Sequence, residues 1–183
     1  MNNQVSWIKR PDGSQIAWCL RGNPKGRPIV FSHALGSDSS MWDRVANQLE
    51  QSYRLVFYDT RGHGQSEASS PHASLADLCE DLMAVMDAAA YPSASIIGLS
   101  LGGMTGLFAA LNFPGRVDRL MACNCRARVD AAGMKGWDDR IAALRAGGVK
   151  SLVGPTLDRW FSSTFQEANP ELMQTVAAMV GGS

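Results

Sequence analysis

The chain has 183 residues, about the length of one domain or of one domain with an insertion. Hydrophobic residues make up 45% and charged residues 19%, so the composition excludes a disordered chain. The 17 Lys and Arg balance the 17 Asp and Glu, which argues against nucleic acid as a partner because such binding needs clustered basic side chains. No apolar run approaches the roughly 18 residues that span a bilayer, and the first residues do not read as a signal peptide. We therefore expect a cytoplasmic protein without a membrane partner.

The four cysteines do not form a recognisable framework. They are too few and too irregularly spaced for a disulfide scaffold, and the single residue between Cys123 and Cys125 does not match a redox or zinc pair. We expect all four to be buried thiols, and we expect neither a metal nor a cofactor.

The first predicted element is a hairpin at the edge of a sheet. Val5–Arg10 and Ile16–Arg21 flank the sequence Pro-Asp-Gly-Ser at positions 11–14, which is typical of a turn. The pattern therefore predicts two antiparallel strands.

Four short apolar runs that follow are typical of buried strands. They are Pro28–Ser32, Leu55–Tyr58, Ser95–Leu99 and Leu120–Cys123. Helical patterns lie between them, with a capping box predicted at Ser40, a second at Ser74, and a third helix from Leu101 to about Phe113. This alternation predicts an α/β protein with a mostly parallel sheet and helices on both faces.

The character of the sequence changes near Asp130. From residue 131 to residue 183 only helical patterns occur. We therefore divide the chain into a core, residues 1–129, and a partial helical cap, residues 130–183.

The strongest chemical signal is a G-x-S-x-G sequence, which spans Gly98 to Gly102. In such an elbow the serine lies on a strained turn between a strand and a helix, and the glycines let neighbouring backbone approach closely. A buried strand is predicted before Ser100 and a helix after it, as this motif requires. Ser100 is therefore the candidate nucleophile, placed where a helix N-terminus favours developing negative charge. The alternative is a glycine-rich turn with an incidental serine.

Two other segments follow predicted strands. Ser32-His33-Ala34-Leu35-Gly36 comes after the first buried strand, and residues 59–66, Asp-Thr-Arg-Gly-His-Gly-Gln-Ser, come after the second. The glycines and charged pair of the later segment favour a tight connection, and His63 suits a hydrogen-bonded turn better than a general base.

The order of these segments resembles the α/β-hydrolase superfamily. More narrowly, residues 32–38, with Met41-Trp42 and residues 158–161, are similar to the 3-oxoadipate enol-lactonases. The resemblance implies hydrolysis of a small ester or lactone through an acyl-enzyme on Ser100, without a cofactor. It also implies that the backbone N–H groups of Leu35 and Leu101 form the oxyanion hole. The alternative for the earlier segment is that His33 and Gly36 only shape a loop.

One requirement of that resemblance is not met. The fold orders its triad as Ser, then Asp or Glu, then His, yet His33, His63 and His72 all precede Ser100. We expect the chain to be the N-terminal part of such a hydrolase, lacking the C-terminal strands, the catalytic acid and the histidine. A complementing C-terminal segment or chain is then a possible partner, and the strand at 120–123 is left as an unpaired apolar edge.

Three residues of the predicted cap are candidates for substrate binding. Trp137, Arg140 and Trp160 are expected to line a pocket, with Arg140 pairing a carboxylate. The alternative is packing within the cap and a solvated helix face. Other functions compatible with the motifs are a general carboxylesterase, a carbon–carbon bond hydrolase, a perhydrolase, and a catalytically inactive binding module.

Overall fold

The computed structural model describes residues 4–70, 72–128 and 131–182, and the chain divides into two compact units, Met1–Ala127 and Arg128–Ser183. The first unit is built on one sheet with the strand order β1-β2-β4-β3-β5-β6. The pairs β3–β4, β3–β5 and β5–β6 are parallel, whereas β1–β2 and β2–β4 are antiparallel. The strands are β1 (Ser6–Lys9), β2 (Gln15–Gly22), β3 (Arg27–Ser32), β4 (Tyr53–Tyr58), β5 (Ala94–Leu99) and β6 (Val117–Cys123). The predicted mostly parallel sheet and its edge hairpin are confirmed.

Helices cover both faces of this sheet, as the sequence predicts. Side chains alternate along β3, so Ile29 and Phe31 pack with Trp42 and Ala46 on one face, while Val30 packs with helical residues on the other. The helices of this unit are α1 (Asp43–Leu49), α2 (Leu75–Ala88) and α3 (Leu101–Asn112).

The start of α2 matches the predicted capping box. The Ser74 hydroxyl accepts a hydrogen bond from the Asp77 N–H, and the Asp77 carboxylate accepts one from the Ser74 N–H at 2.7 Å.

We expect Ser74→Ala to lower the free energy of unfolding by about 1 kcal/mol, because one N–H of the first turn loses its acceptor. Urea denaturation measures the change, and Ser70→Ala in the preceding exposed segment is the control. Equal stability of the two variants would contradict the prediction.

The capping box predicted at Ser40 is wrong. Asp38 is the capping residue, and its carboxylate accepts the Ser40 N–H at 2.8 Å at the start of a short 3₁₀ turn, Ser39–Trp42. In the predicted box the Ser40 N–H would donate to the Asp43 side chain, but it donates to the Asp38 carboxylate, and the Asp43 carboxylate pairs with Arg21. The helix α1 begins only after that turn.

The expectation of four buried thiols is also wrong. All four cysteines are free, but only Cys79 is buried, and Cys19, Cys123 and Cys125 are partly exposed. Cys79 is part of the helix α2 that packs on the sheet, whereas Cys123 ends a strand at its edge.

A buried ionic network fixes the segment that follows β4. The Arg61 guanidinium binds the buried Asp81 carboxylate in a bidentate manner, at 2.7 and 2.8 Å, and also contacts Asp12 at 2.8 Å. Arg10 binds the same Asp81 at 2.9 Å. The hydrogen bonds to Asp81 raise the pKa of Arg61 above its usual value. The network joins the hairpin, the loop after β4 and α2.

The opposite edge of the sheet is formed by β6. It is the last strand in the sheet order, and Met121 in its centre is 58% exposed. The predicted apolar edge at residues 120–123 is therefore present in the structure. Such an edge is a template for pairing with another strand.

The second unit consists of helices. They are α4 (Ala131–Gly147), a 3₁₀ turn (Val149–Leu152), α5 (Val153–Trp160), α6 (Ser163–Ala168) and α7 (Pro170–Gly181). Within the described part of this unit no strand occurs, as the sequence predicts. None of the helices in the described ranges of the chain is long and apolar enough to cross a membrane.

Candidate active site

Ser100 occupies a sharp turn between β5 and α3. Its backbone has φ +52° and ψ −111°, a region that L-residues rarely adopt. The turn is tight because two glycines allow backbone to pass closely. A Cβ at Gly98 would lie 2.2 Å from the Gly102 oxygen, and a Cβ at Gly102 would lie 2.1 Å from the Ser32 oxygen. The local sequence therefore imposes an elbow of the kind that the motif predicts.

Hydrogen bonds tie this elbow to the neighbouring strands. The Ser100 N–H donates to the Cys123 carbonyl at 2.9 Å, which joins the elbow to the end of β6. The Gly102 N–H donates to the His33 carbonyl at 3.1 Å, which joins it to the residue after β3. Because β3, β5 and β6 are parallel neighbours, their carboxyl ends meet at one edge of the sheet.

The residue after β3 leads into a turn that contains Leu35. The Ser37 N–H donates to the Ala34 carbonyl at 3.2 Å, and Gly36 has φ +74°, which a tight turn of this type requires. Across the described residues, neither the Leu35 N–H nor the Leu101 N–H has a hydrogen-bond partner. The first amide lies just beyond β3 and the second opens α3, so two free donors follow adjacent strands.

His33 is fully buried and connects this turn to the loop after β4. Its Nε2 accepts the Thr60 N–H at 2.8 Å, so Nδ1 carries the proton and donates to the Ala34 carbonyl at 2.8 Å. Burial lowers the pKa of His33 to about 4, so the ring is neutral near pH 7. With both ring nitrogens occupied, His33 does not act as a base toward Ser100.

Asp59 is a buried carboxylate that organises the loops around the site. Its two oxygens accept the N–H groups of Ser39 at 2.8 Å and Gln65 at 2.9 Å. A Cβ at Gly64 would lie 2.3 Å from the same carboxylate, so only glycine fits there. Asp59 is a residue of the site that the sequence motifs do not predict. Its position directly after a buried strand and before two glycines was the available signal.

His63 lies in a hydrogen-bonded turn, as the sequence predicts. Its N–H donates to the Thr60 carbonyl at 2.9 Å, and its Nδ1 lies 3.1 Å from the Arg61 carbonyl. The ring centroid is 5.4 Å from that of His33. Its contacts are therefore those of a structural turn.

The candidate substrate-binding residues all belong to the second unit. The Arg140 guanidinium lies 4.7 Å from the Trp137 ring centroid, one turn away on α4. Trp160 ends α5 and is half-buried. Burial and the nearby Arg159 charge lower the pKa of Arg140. The Arg140–Trp137 contact lies within α4, and the role of the three residues in substrate binding stays a prediction.

Residues 27–171 match the family model described as alpha/beta hydrolase fold. The chain belongs to this family. Its β5–α3 elbow, its parallel sheet and its helices on both faces are those of the fold that the sequence predicts.

The relatives of the chain include enol-lactonases. It is 35% identical over 167 residues to 3-oxoadipate enol-lactonase 1 of Acinetobacter baylyi, which covers 91% of the chain and 62% of that protein. It is 30% identical to a solved enol-lactonase from Burkholderia xenovorans LB400, with a TM-score of 0.90 over 96% of the chain and 67% of the other. A hydrolase from Pseudomonas aeruginosa PA01 gives 32% identity and a TM-score of 0.91 over 98% and 67%. The chain thus spans about three fifths of the length of that curated lactonase.

Proposed function

We propose that the protein containing this chain hydrolyses a small ester or lactone, similar to 3-oxoadipate enol-lactone, through an acyl-enzyme on Ser100. The observation on which this rests is the Ser100 elbow with two unpartnered amides, Leu35 and Leu101, at the ends of adjacent strands. In this proposal the two N–H groups donate to the oxyanion, and losing one such donor typically costs a factor of about 10² to 10³ in rate.

The proposed reaction has two steps and needs no cofactor. The Ser100 Oγ attacks the carbonyl carbon and its proton passes to a base; the C–O bond of the ester or lactone then breaks, the base gives that proton to the leaving oxygen, and an acyl-enzyme remains. The base then takes a proton from a water molecule that attacks the acyl group, the proton returns to Ser100 Oγ, and the acyl group leaves as a carboxylic acid. The base and its acid partner are assigned to a segment or chain that complements this one, since no histidine follows Ser100. We also infer a cytoplasmic location, where free thiols such as these four persist.

One observation favours a second candidate, a catalytically inactive binding module. Each histidine that lies near the elbow loops is engaged by backbone: His33 by Thr60 and Ala34, and His63 by Arg61. A chain with this elbow and no base would keep the oxyanion donors without activating Ser100.

An intact mass spectrum of the complete gene product after incubation with a fluorophosphonate distinguishes the two. We expect one phosphonyl adduct, lost in Ser100→Ala and retained in the control Ser70→Ala, whose serine is exposed. The 183-residue chain alone should react far more slowly, because loss of triad members costs about 10⁴ to 10⁶ in rate. A complete gene product that stays unlabelled would refute the hydrolase and favour the binding module.

A further inference from the structure

The Ala34 carbonyl has an unusual number of hydrogen-bond donors. It accepts from the Ser37 N–H at 3.2 Å, from the Ser37 hydroxyl at 2.7 Å and from His33 Nδ1 at 2.8 Å. A carbonyl oxygen has two lone pairs, so most accept one or two hydrogen bonds. The peptide group that contains this carbonyl also contains the Leu35 N–H.

We propose that His33 and Ser37 are positioning residues that orient and polarise the Ala34–Leu35 peptide group, so that its N–H is a stronger oxyanion donor. This inference rests on the proposed function and goes beyond it by assigning a role to two buried side chains that act through the backbone. Among the described residues, neither side chain forms a hydrogen bond with Ser100; both act through the carbonyl of Ala34.

Orientation follows from peptide geometry. In a trans peptide the C=O and N–H bonds lie in one plane and point in opposite directions. The Ser37 N–H, the Ser37 hydroxyl and His33 Nδ1 therefore fix the position of the Ala34 oxygen. The Leu35 N–H is then held pointing away from these three donors. Gly36, with φ +74°, completes the turn without a steric cost.

Polarisation follows from cooperativity. A hydrogen bond to the carbonyl of a peptide group increases the positive charge on its N–H, and condensed-phase estimates give about 10 to 30% strengthening per bond. The Ser37 hydroxyl also lies 3.2 Å from the Met41 sulfur, but the carbonyl is the stronger acceptor and takes the proton. Ser37 and His33 are both fully buried, so water does not compete for these bonds.

The state of the His33 ring is set by a residue distant in sequence. Thr60 donates its N–H to Nε2, which leaves the proton on Nδ1, facing the Ala34 carbonyl. Since Thr60, in the loop after β4, fixes the tautomer, Nδ1 carries its proton near neutral pH without any change in the charge of the ring.

The first test is Ser37→Ala in the complete gene product, with p-nitrophenyl acetate as substrate. We expect kcat to fall about three-fold with KM unchanged, because one of three polarising bonds is lost while the ester still binds. The control is Ser14→Ala, which removes a buried hydroxyl that bonds to Ser69 instead. An unchanged kcat, or an equal loss in the control, would overturn the proposal.

Two substitutions at His33 separate its two hydrogen bonds. His33→Asn retains a donor near the position of Nδ1, whereas His33→Gln retains an acceptor near Nε2. We expect the Asn variant to keep the higher kcat, because it still donates to Ala34. A higher kcat for the Gln variant would show that His33 acts only by binding Thr60, and would overturn its proposed role.

An NMR measurement, which needs no substrate turnover, tests the polarisation of the Leu35 N–H independently of the proposed function. In ¹⁵N-labelled protein, Ser37→Ala should move the Leu35 amide proton resonance upfield, and Ser14→Ala should not. Continued hydrolysis by Ser100→Ala would refute the proposed nucleophile while leaving that shift interpretable. A Leu35 resonance that does not move would refute the polarisation of the peptide group itself.

Discussion

Replacing Gly102 with alanine is expected to lower the free energy of unfolding of the first unit by about 3 kcal/mol. The added Cβ would lie 2.1 Å from the Ser32 oxygen and 2.8 Å from the His33 oxygen, and both are backbone atoms of the strand end that packs against α3. Backbone cannot rotate aside as a flexible side chain can. The elbow must therefore shift or open, and urea denaturation followed by circular dichroism measures the loss.

Two other glycines serve as controls for the same substitution. Gly106→Ala in α3 meets mainly the end of the Leu120 side chain, at 2.7 Å, so its cost should be smaller. Gly136→Ala in α4 meets nothing within 4 Å and should stabilise that helix by up to about 1 kcal/mol. If Gly102→Ala costs no more than Gly106→Ala, the close approach at the elbow does not limit stability.

Acidification from pH 7 to pH 4 is expected to remove about 3 kcal/mol of stability through His33 alone. Burial lowers the folded-state pKa of His33 to about 4, against a usual value of about 6.5 in an unfolded chain. Between these values the unfolded state binds a proton that the folded state does not, so stability rises with pH. The contribution is complete above pH ~6.5 and is lost progressively as the pH falls toward 4.

Urea midpoints at several pH values between 7 and 4 test this expectation. His33→Gln has no titrating ring, so its stability should vary much less across this window. The matched control is His72→Gln, because His72 is exposed and should leave the slope of the wild type intact. A wild-type slope that persists in His33→Gln would assign the acid sensitivity to other groups. The contributions of Asp12 and Asp77 to the pH dependence can be separated from that of His33. Hydrogen bonds from Ser14 and Ser74 lower the pKa values of these carboxyl groups, so their contributions are lost at a lower pH than that of His33.

Much of the fold follows from local patterns. Alternating and continuous apolar runs predict the strands, and the Ser74 box predicts the start of α2, because each depends on neighbours within a few residues. The elbow at Ser100 is equally local, since a strand, a glycine pair and a helix are adjacent in the chain. Asp38 shows the limit of this approach, because Asp38 and Ser40 both favour helix starts and the local pattern does not show which of them caps the turn.

The support of the site is not local and escapes sequence reasoning. The Thr60 N–H that sets the His33 tautomer comes from a different strand end, and the amides that bind Asp59 belong to Ser39 and Gln65, on either side of it in the chain. The parallel pairing of β3 and β4 brings His33 to Thr60 and Ser39 to Asp59. A pattern in one segment does not reveal which backbone group of another segment will face it.

Under the proposed function, the backbone of Ser100 places activity and stability in opposition. A serine at φ +52° and ψ −111° occupies the conformation less favourably than glycine would, and the surrounding glycines and strand ends hold it there. Selection for folding alone would therefore replace this serine. Its retention in a lineage would mark continued selection for chemistry, whereas a lineage that had lost the activity would be free to drift toward glycine at this one position.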